Sequence, residues 1–255
     1  KKEIYISAFN GDNPKQFSRH GDITLFPAWS SDGKWMAYTS YAKGRPDLYI
    51  RNLTENKMIT LDGKGIQITP AWVPGKFELA ATLSFSGDQE IYLLTGGGKI
   101  IKRLTNSRGI DVEPTWSPTG KQMAFVSKRS GTPQIYVKDM ASGRVRRLTF
   151  QGRYNTQPDW SPKGGKIVYS SMEAGRIDIY TIEVDGSNRI RLTENQGDNE
   201  APSWSPDGSL IAFNSNREGR SKIYIMTAFG TDQRRLISMP GEQTNPKWSP
   251  SVISN

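Results

Sequence analysis

The chain has 255 residues, no cysteine, one histidine and a formal net charge of +9, with 35% hydrophobic and 23% charged residues. The absence of cysteine excludes disulfides, thiolate metal sites and thiol catalysis, and no apolar run approaches the roughly 20 residues a membrane-spanning helix needs. Ten tyrosines, nine phenylalanines and seven tryptophans in so polar a chain imply short amphipathic strands packed through aromatic layers, not disorder.

Lys1-Lys2-Glu3 leads into a predicted strand with no signal-peptide apolar stretch, so the chain, if secreted, is expected to be a processed or excised form. Lys1 to Phe17 reads as the third and fourth strands of a repeat unit. From there Pro-x-Trp recurs: Pro27/Trp29, Pro70/Trp72, Pro114/Trp116, Pro158/Trp160, Pro202/Trp204 and Pro246/Trp248, at tryptophan steps of 43, 44, 44, 44 and 44 residues. An apolar residue followed by tyrosine keeps the same interval at Ile4-Tyr5, Leu48-Tyr49, Ile91-Tyr92, Ile135-Tyr136, Ile179-Tyr180 and Ile223-Tyr224. A repeat of about 40–45 residues built from short strands is the signature of a β-propeller blade.

Within the unit starting at Pro114, Pro114–Ser117 predicts an innermost strand, where proline suits the first position because no ladder donor is needed there. Pro118-Thr119-Gly120 predicts a tight hairpin. Lys121–Ser127 alternates as a second strand, Gln134–Val137 forms a third, and Arg144–Leu148 an outer fourth. The hairpin recurs at Ser31-Asp32-Gly33, Pro74-Gly75, Pro162-Lys163-Gly164 and Pro206-Asp207-Gly208. One carboxylate per turn cannot supply the six to eight oxygens calcium takes, so these turns are structural.

The expected fold is therefore all-β: a single-domain, six-bladed β-propeller with four antiparallel strands per blade. Blades begin near Pro27, Pro70, Pro114, Pro158 and Pro202. The sixth is assembled from residues 1–18 and 245–255, closing the ring through both termini. Its strand count is one short, because only Ser251 to Asn255 follow Pro250 where other units spend about eight residues on strand two. The missing strand is expected upstream of Lys1 in a parent protein.

Much of the positive charge sits at Lys102-Arg103, Arg144, Arg146-Arg147, Arg189, Arg191 and Arg234-Arg235, at the end of each unit. Lysine and arginine there blunt an exposed sheet edge, and a ring of rim charges makes a poor phosphate groove. Nucleic acid is not expected as a partner.

Units of the form Pro-x-Trp-Ser-Pro-x-Gly-Lys, an apolar strand, Ile-Tyr and Arg-Leu-Thr resemble the propeller of the TolB family. The fullest copy runs from Trp204-Ser205-Pro206-Asp207-Gly208 through Ile211-Ala212-Phe213 to Ile223-Tyr224. The resemblance covers the whole chain. It implies a periplasmic, non-enzymatic protein-binding propeller of the Tol-Pal cell-envelope system, whose partners are the lipoprotein Pal and, in some organisms, colicin translocation segments. It implies a monomer without direct membrane insertion.

Partner-binding residues are expected in the loops that run from an outer strand into the next Pro-x-Trp, since loops on a rigid scaffold carry recognition. The candidates are Phe26, Thr69, Asp111, Glu113, Gln157, Glu200, Ala201, Asn245 and His20. Thr69 and Glu113 transfer best from the family, whereas Ile66 stands where one type of member has histidine.

No catalytic residue is assigned. A Ser-His-Asp triad would have to pass through His20, and Gly-x-Ser-x-Gly is absent. Paired acids for glycoside chemistry would have to come from Asp111 with Glu113 and Asp198 with Glu200, which lie in different loops. No cofactor is expected, although these acids together with Asp22 could hold a weakly bound hard cation such as calcium in the channel. The alternative function is an accessory or gating propeller excised from a serine peptidase or a polysaccharide-active enzyme.

Overall fold

The computed structural model describes residues 1–250 except Asn56, Asp62, Lys64 and Ser86. The strands fall where apolar alternation and turn residues place them. A two-stranded antiparallel pair, β1 (Tyr5–Ile6) and β2 (Lys15–Gln16), comes first. Five four-stranded sheets follow. They are β3 (Thr24–Trp29), β4 (Trp35–Ser40), β5 (Asp47–Asn52) and β6 (Met58–Thr60); then β7 (Gln67–Trp72), β8 (Glu78–Leu83), β9 (Glu90–Thr95) and β10 (Ile100–Arg103). Next come β11 (Asp111–Trp116), β12 (Gln122–Ser127), β13 (Gln134–Asp139) and β14 (Val145–Arg147). The last two are β15 (Tyr154–Trp160), β16 (Lys166–Glu173), β17 (Arg176–Glu183) and β18 (Ile190–Arg191), then β19 (Asn199–Trp204), β20 (Leu210–Ser215), β21 (Lys222–Thr227) and β22 (Arg234–Arg235). Strands neighbour one another in chain order in every sheet, the meander of a propeller blade.

The number of blades corrects the sequence-based expectation. Five four-stranded blades are present among the described residues, not six, and β1 and β2 stand as a two-stranded sheet of their own. Residues 242–249 form no strand. The reason is the ladder: a first strand bonds to a second strand, and no second strand stands beside Asn245–Pro250 among the described residues. The expected segment 251–255 lies outside the described residues.

The chain divides into two compact units, Lys1–Pro114 with the chain end from Ser249, and Thr115–Trp248. In the first, Trp72 of β7 packs with Ala28, Leu48 and Ile50 of the preceding blade, and its indole N–H donates to the Ala28 carbonyl at 3.1 Å. In the second, Trp160 packs on Ala124, Ile135 and Val137, and Trp204 on Val168 and Ile179. At these three positions the repeated tryptophan seats a blade on the one before it. Large aromatic area buried between sheets is the main stabilising term of such a layer.

A second device recurs, this time polar. Before four of the six apolar-Tyr pairs stands an acid or amide, buried except for the half-buried Glu3, that is bonded by the hydroxyl following the outer strand. Thr105 donates to Glu90 at 2.5 Å, Thr149 to Gln134 at 2.8 Å and Thr193 to Asp178 at 2.7 Å, while Ser18 donates to Glu3. The same hydroxyls accept the backbone N–H of Ile91, Ile135, Ile179 and Ile4. Outer-strand arginines reach inward to these acids, Arg103 to Glu90 at 3.0 Å and Arg191 to Asp178 at 2.5 Å. They therefore serve as counter-ions of the lock as well as edge charges.

The hairpin acids are structural. Asp207 accepts from the hydroxyls of Ser205 and Ser209 at 2.6 and 2.7 Å and from the Ser209 N–H at 3.1 Å. These bonds hold its carboxyl down to about 2.

Candidate functional site

Six residues share one unusual backbone conformation: Phe26, Thr69, Glu113, Gln157, Ala201 and Asn245 have φ of 56°, 50°, 55°, 54°, 52° and 54°. Each immediately precedes the proline of Pro-x-Trp. A residue before proline ordinarily lies in the β or polyproline region, and a left-handed non-glycine residue costs about 1–2 kcal/mol. The repetition shows that the surrounding structure imposes the geometry.

The register explains how. Leu25 pairs with Thr39 and Ala28 with Ala37, so β3 spends three steps where β4 spends two. The same extra residue appears between Ile68 and Ala71, Thr156 and Asp159, and Glu200 and Ser203. Each is a β-bulge, a device that re-aims side chains next to functional sites.

The bulges are held by side chains of strand two. In the first unit Thr69 and Thr82 share a hydroxyl–hydroxyl bond of 2.8 Å. In the second unit the Ala201 N–H donates to Gln157 Oε1 at 2.8 Å and to Ser170 Oγ at 3.1 Å, and Ser170 Oγ donates to Gln157 Oε1 at 2.8 Å. The Asn245 N–H donates to Asn214 Oδ1 at 3.2 Å. Backbone donors turned out of the ladder thus find partners on the preceding blade, which satisfies the requirement that buried donors be bonded.

The middle residue of Pro-x-Trp continues the chain of contacts in the second unit. Trp160 N–H donates to Thr115 Oγ1 at 3.2 Å and Trp204 N–H to Asp159 Oδ2 at 2.8 Å, and Lys247 pairs with Asp159 Oδ1. Lys247 lies two repeats beyond Asp159, so its ammonium pins the C-terminal segment to β15. Nothing in the spacing of the motif marked Asp159 or Lys247.

The other predicted residues fall in different places. Glu200 is half-buried on β19 beside Ala201. Burial, then the charge of Asp198, pushes its carboxyl up, against a hydrogen bond from Asn214. Asp111 is fully buried at the start of β11, its N–H bonded to the Gln89 carbonyl at 2.8 Å. His20 lies at no bulge: its Nε2 is 3.0 Å from the Tyr38 hydroxyl and its ring 4.6 Å from that of Tyr49. Burial pushes the imidazole down, opposed by Glu3 and reinforced by Arg51. Among the described residues no group of three or more His, Asp or Glu side chains is arranged to hold a metal ion.

Glu200 supplies a pH-dependent prediction. Its folded pKa is raised, so ionising it opposes folding; that penalty is absent below the unfolded value of about 4.3 and complete above the folded value. Glu200→Gln is expected to raise the thermal midpoint at pH 7 and to leave it unchanged near pH 3.5. Melting curves at the two pH values test this; an equal shift at both contradicts it.

The sequence matches the family described as TolB beta propeller domain over residues 1–252. A Tol-Pal system protein TolB from Desulfosudis oleivorans is 62% identical over 106 residues, 42% of this chain and 24% of that protein. A protein TolB homolog from Chlorobaculum tepidum is 52% identical over 104 residues, 41% of this chain and 24% of that protein. The aligned part is thus about a quarter of the length of these curated relatives. The crystal structure of TolB from Acinetobacter baumannii is similar with a TM-score of 0.88 and 32% identity, covering 98% of this chain and 63% of that one. An oligogalacturonate lyase in complex with manganese, at TM-score 0.64 and 14% identity over 94% of this chain and 73% of that one, shares the fold alone. With the repeat, the bulged first strands and the match along nearly its whole length, the chain belongs to the TolB β-propeller domain family.

Proposed function

We propose that the chain is a non-enzymatic docking module of the Tol-Pal cell-envelope system, acting in the periplasm and binding Pal at the face that carries the pre-proline bulges. The observation that carries this reading is the series of left-handed residues before each Pro-x-Trp. Their backbone is the same throughout while their side chains differ, so each unit presents its own set on a rigid frame, Phe26, Thr69 and Glu113 in the first and Gln157, Ala201 and Asn245 in the second. A preformed surface loses little ordering entropy on association. The names of the curated relatives support the Tol-Pal assignment. Colicin translocation segments would use the same face.

Glu113→Lys is expected to weaken binding of the soluble domain of Pal by about tenfold or more, as a reversed charge at a recognition surface does. The thermal midpoint should move by no more than about 2 °C. Calorimetric titration beside a melting curve reads both quantities, and unchanged affinity in a folded variant contradicts the assignment of Glu113.

A further inference from the structure

The loop between β14 and β15 differs from its counterparts in the second unit. The β18–β19 loop reads Glu194-Asn195-Gln196-Gly197-Asp198, polar and acidic, whereas this one reads Phe150-Gln151-Gly152-Arg153-Tyr154. Phe150 is 72% and Tyr154 44% exposed, and Arg153 between them is exposed. The Arg147 guanidinium stands 4.8 Å from the Phe150 ring centroid and is aimed by a 2.6 Å bond from its Nε to the Thr149 carbonyl.

This loop is held at several points. Gln134 donates to the Gly152 carbonyl at 3.1 Å, and Asn155 Nδ2 to the Gln151 carbonyl at 2.8 Å. The Arg153 N–H reaches the Met172 carbonyl at 3.2 Å and the Asn155 N–H the Pro133 carbonyl at 3.0 Å. A Cβ at Gly152, where φ is 79°, would lie 2.5 Å from Ser171 Oγ, so the turn has no slack there. The Pro133 contact also ties the end of the β12–β13 turn to β15.

Charge along the segment itself is one-sided. Residues 140–158 contain Arg144, Arg146, Arg147 and Arg153 and no acid. The nearby acid at the end of β16, Glu173, is already paired with Arg189 at 2.5 Å. Rigid aromatic and arginine side chains exposed together have the composition of interface hot spots, and the cationic surroundings select a negatively charged counterpart.

We propose that Phe150, Arg153 and Tyr154, backed by Arg147, form an anchor for an acidic polypeptide surface, with Phe150 and Tyr154 packing on its apolar part and Arg153 meeting a carboxylate. This deepens the proposed docking function and rests on it for the identity of the partner, though not for the chemistry of the anchor.

The test titrates the whole chain and its Phe150→Ala and Arg153→Glu variants with the soluble domain of Pal, at low and moderate salt. Phe229→Ala, at an 81% exposed aromatic on the β21–β22 turn, is the control. The anchor predicts about tenfold or greater loss in both loop variants, a salt-dependent loss at Arg153, and unchanged binding in the control. Wild-type binding with undiminished affinity in both loop variants overturns the anchor and leaves the docking function standing. Should wild-type protein not bind Pal, the docking assignment fails, and a glutamate-rich peptide carrying one tryptophan becomes the probe. Saturable binding lost in Arg153→Glu then sustains the anchor, and no binding overturns it.

Discussion

Asp178→Ala is expected to lower stability by about 2–4 kcal/mol, the loss that follows when buried donors lose a charged acceptor. Asp178 is 2% exposed. Its Oδ1 accepts from Thr193 and from Asn199 at 2.7 and 3.1 Å, and its Oδ2 meets Arg191 at 2.5 Å. Asn199 opens the next blade, so the carboxylate ties the fourth strand of one sheet to the first strand of another. Truncation leaves the Thr193 hydroxyl and an Asn199 amide N–H without this acceptor, while Arg191 keeps the Thr193 carbonyl and Glu194. Thr193→Val removes a single donor and should cost about 1–2 kcal/mol. Denaturant unfolding of both variants checks the ranking; a loss below about 1 kcal/mol for Asp178→Ala would mean that water replaces the carboxylate freely.

Trp204→Ala is expected to cost about 3–5 kcal/mol, the usual range for deleting a buried large aromatic. The indole is 6% exposed and lies among Val168 and Ile179 of one blade and Ile211 and Phe213 of its own. The cavity would open between two sheets, neither of which can collapse without breaking its ladder. At roughly 2–4 °C per kcal/mol for a chain of this size, the midpoint should fall by about 10 °C. Trp204→Phe keeps most of the apolar area and should recover more than half of the loss. Equal midpoints for the alanine variant and the parent would remove tryptophan from its role as the contact between blades.

The blade was legible because its markers are chemical. Pro-x-Trp, the glycine of each hairpin and the apolar-Tyr pair forecast four strands per unit, and the third blade has them at β11 to β14. The first strand begins earlier than expected, at Asp111 instead of Pro114, because the bulge lets pairing continue on both sides of the proline.

The bulge itself was illegible. Phe, Thr, Glu, Gln, Ala and Asn share no side-chain property that would signal a left-handed backbone, and the following proline argues for the opposite conformation. A sequence signal for it does exist on the facing strand, where Thr82, Ser170 and Asn214 interrupt apolar runs to receive or share those bonds. The polar lock was missed for a related reason. Glu90 and Asp178 each stand directly before an Ile-Tyr pair, and only the recurring Thr after Arg-Leu reveals their partner. Six blades were expected because six Pro-x-Trp motifs were counted; a first strand without a second does not make a sheet. Asp111 was placed at a binding surface by its loop position, and the structure buries it.

The proposed binding of Pal through the bulged first strands is tested by calorimetric titration of the folded chain with the soluble domain of Pal from the same organism. Saturable one-to-one binding, weakened by Glu113→Lys, is the predicted result. A sample with a cooperative melting transition that gives neither heat nor saturation would contradict it.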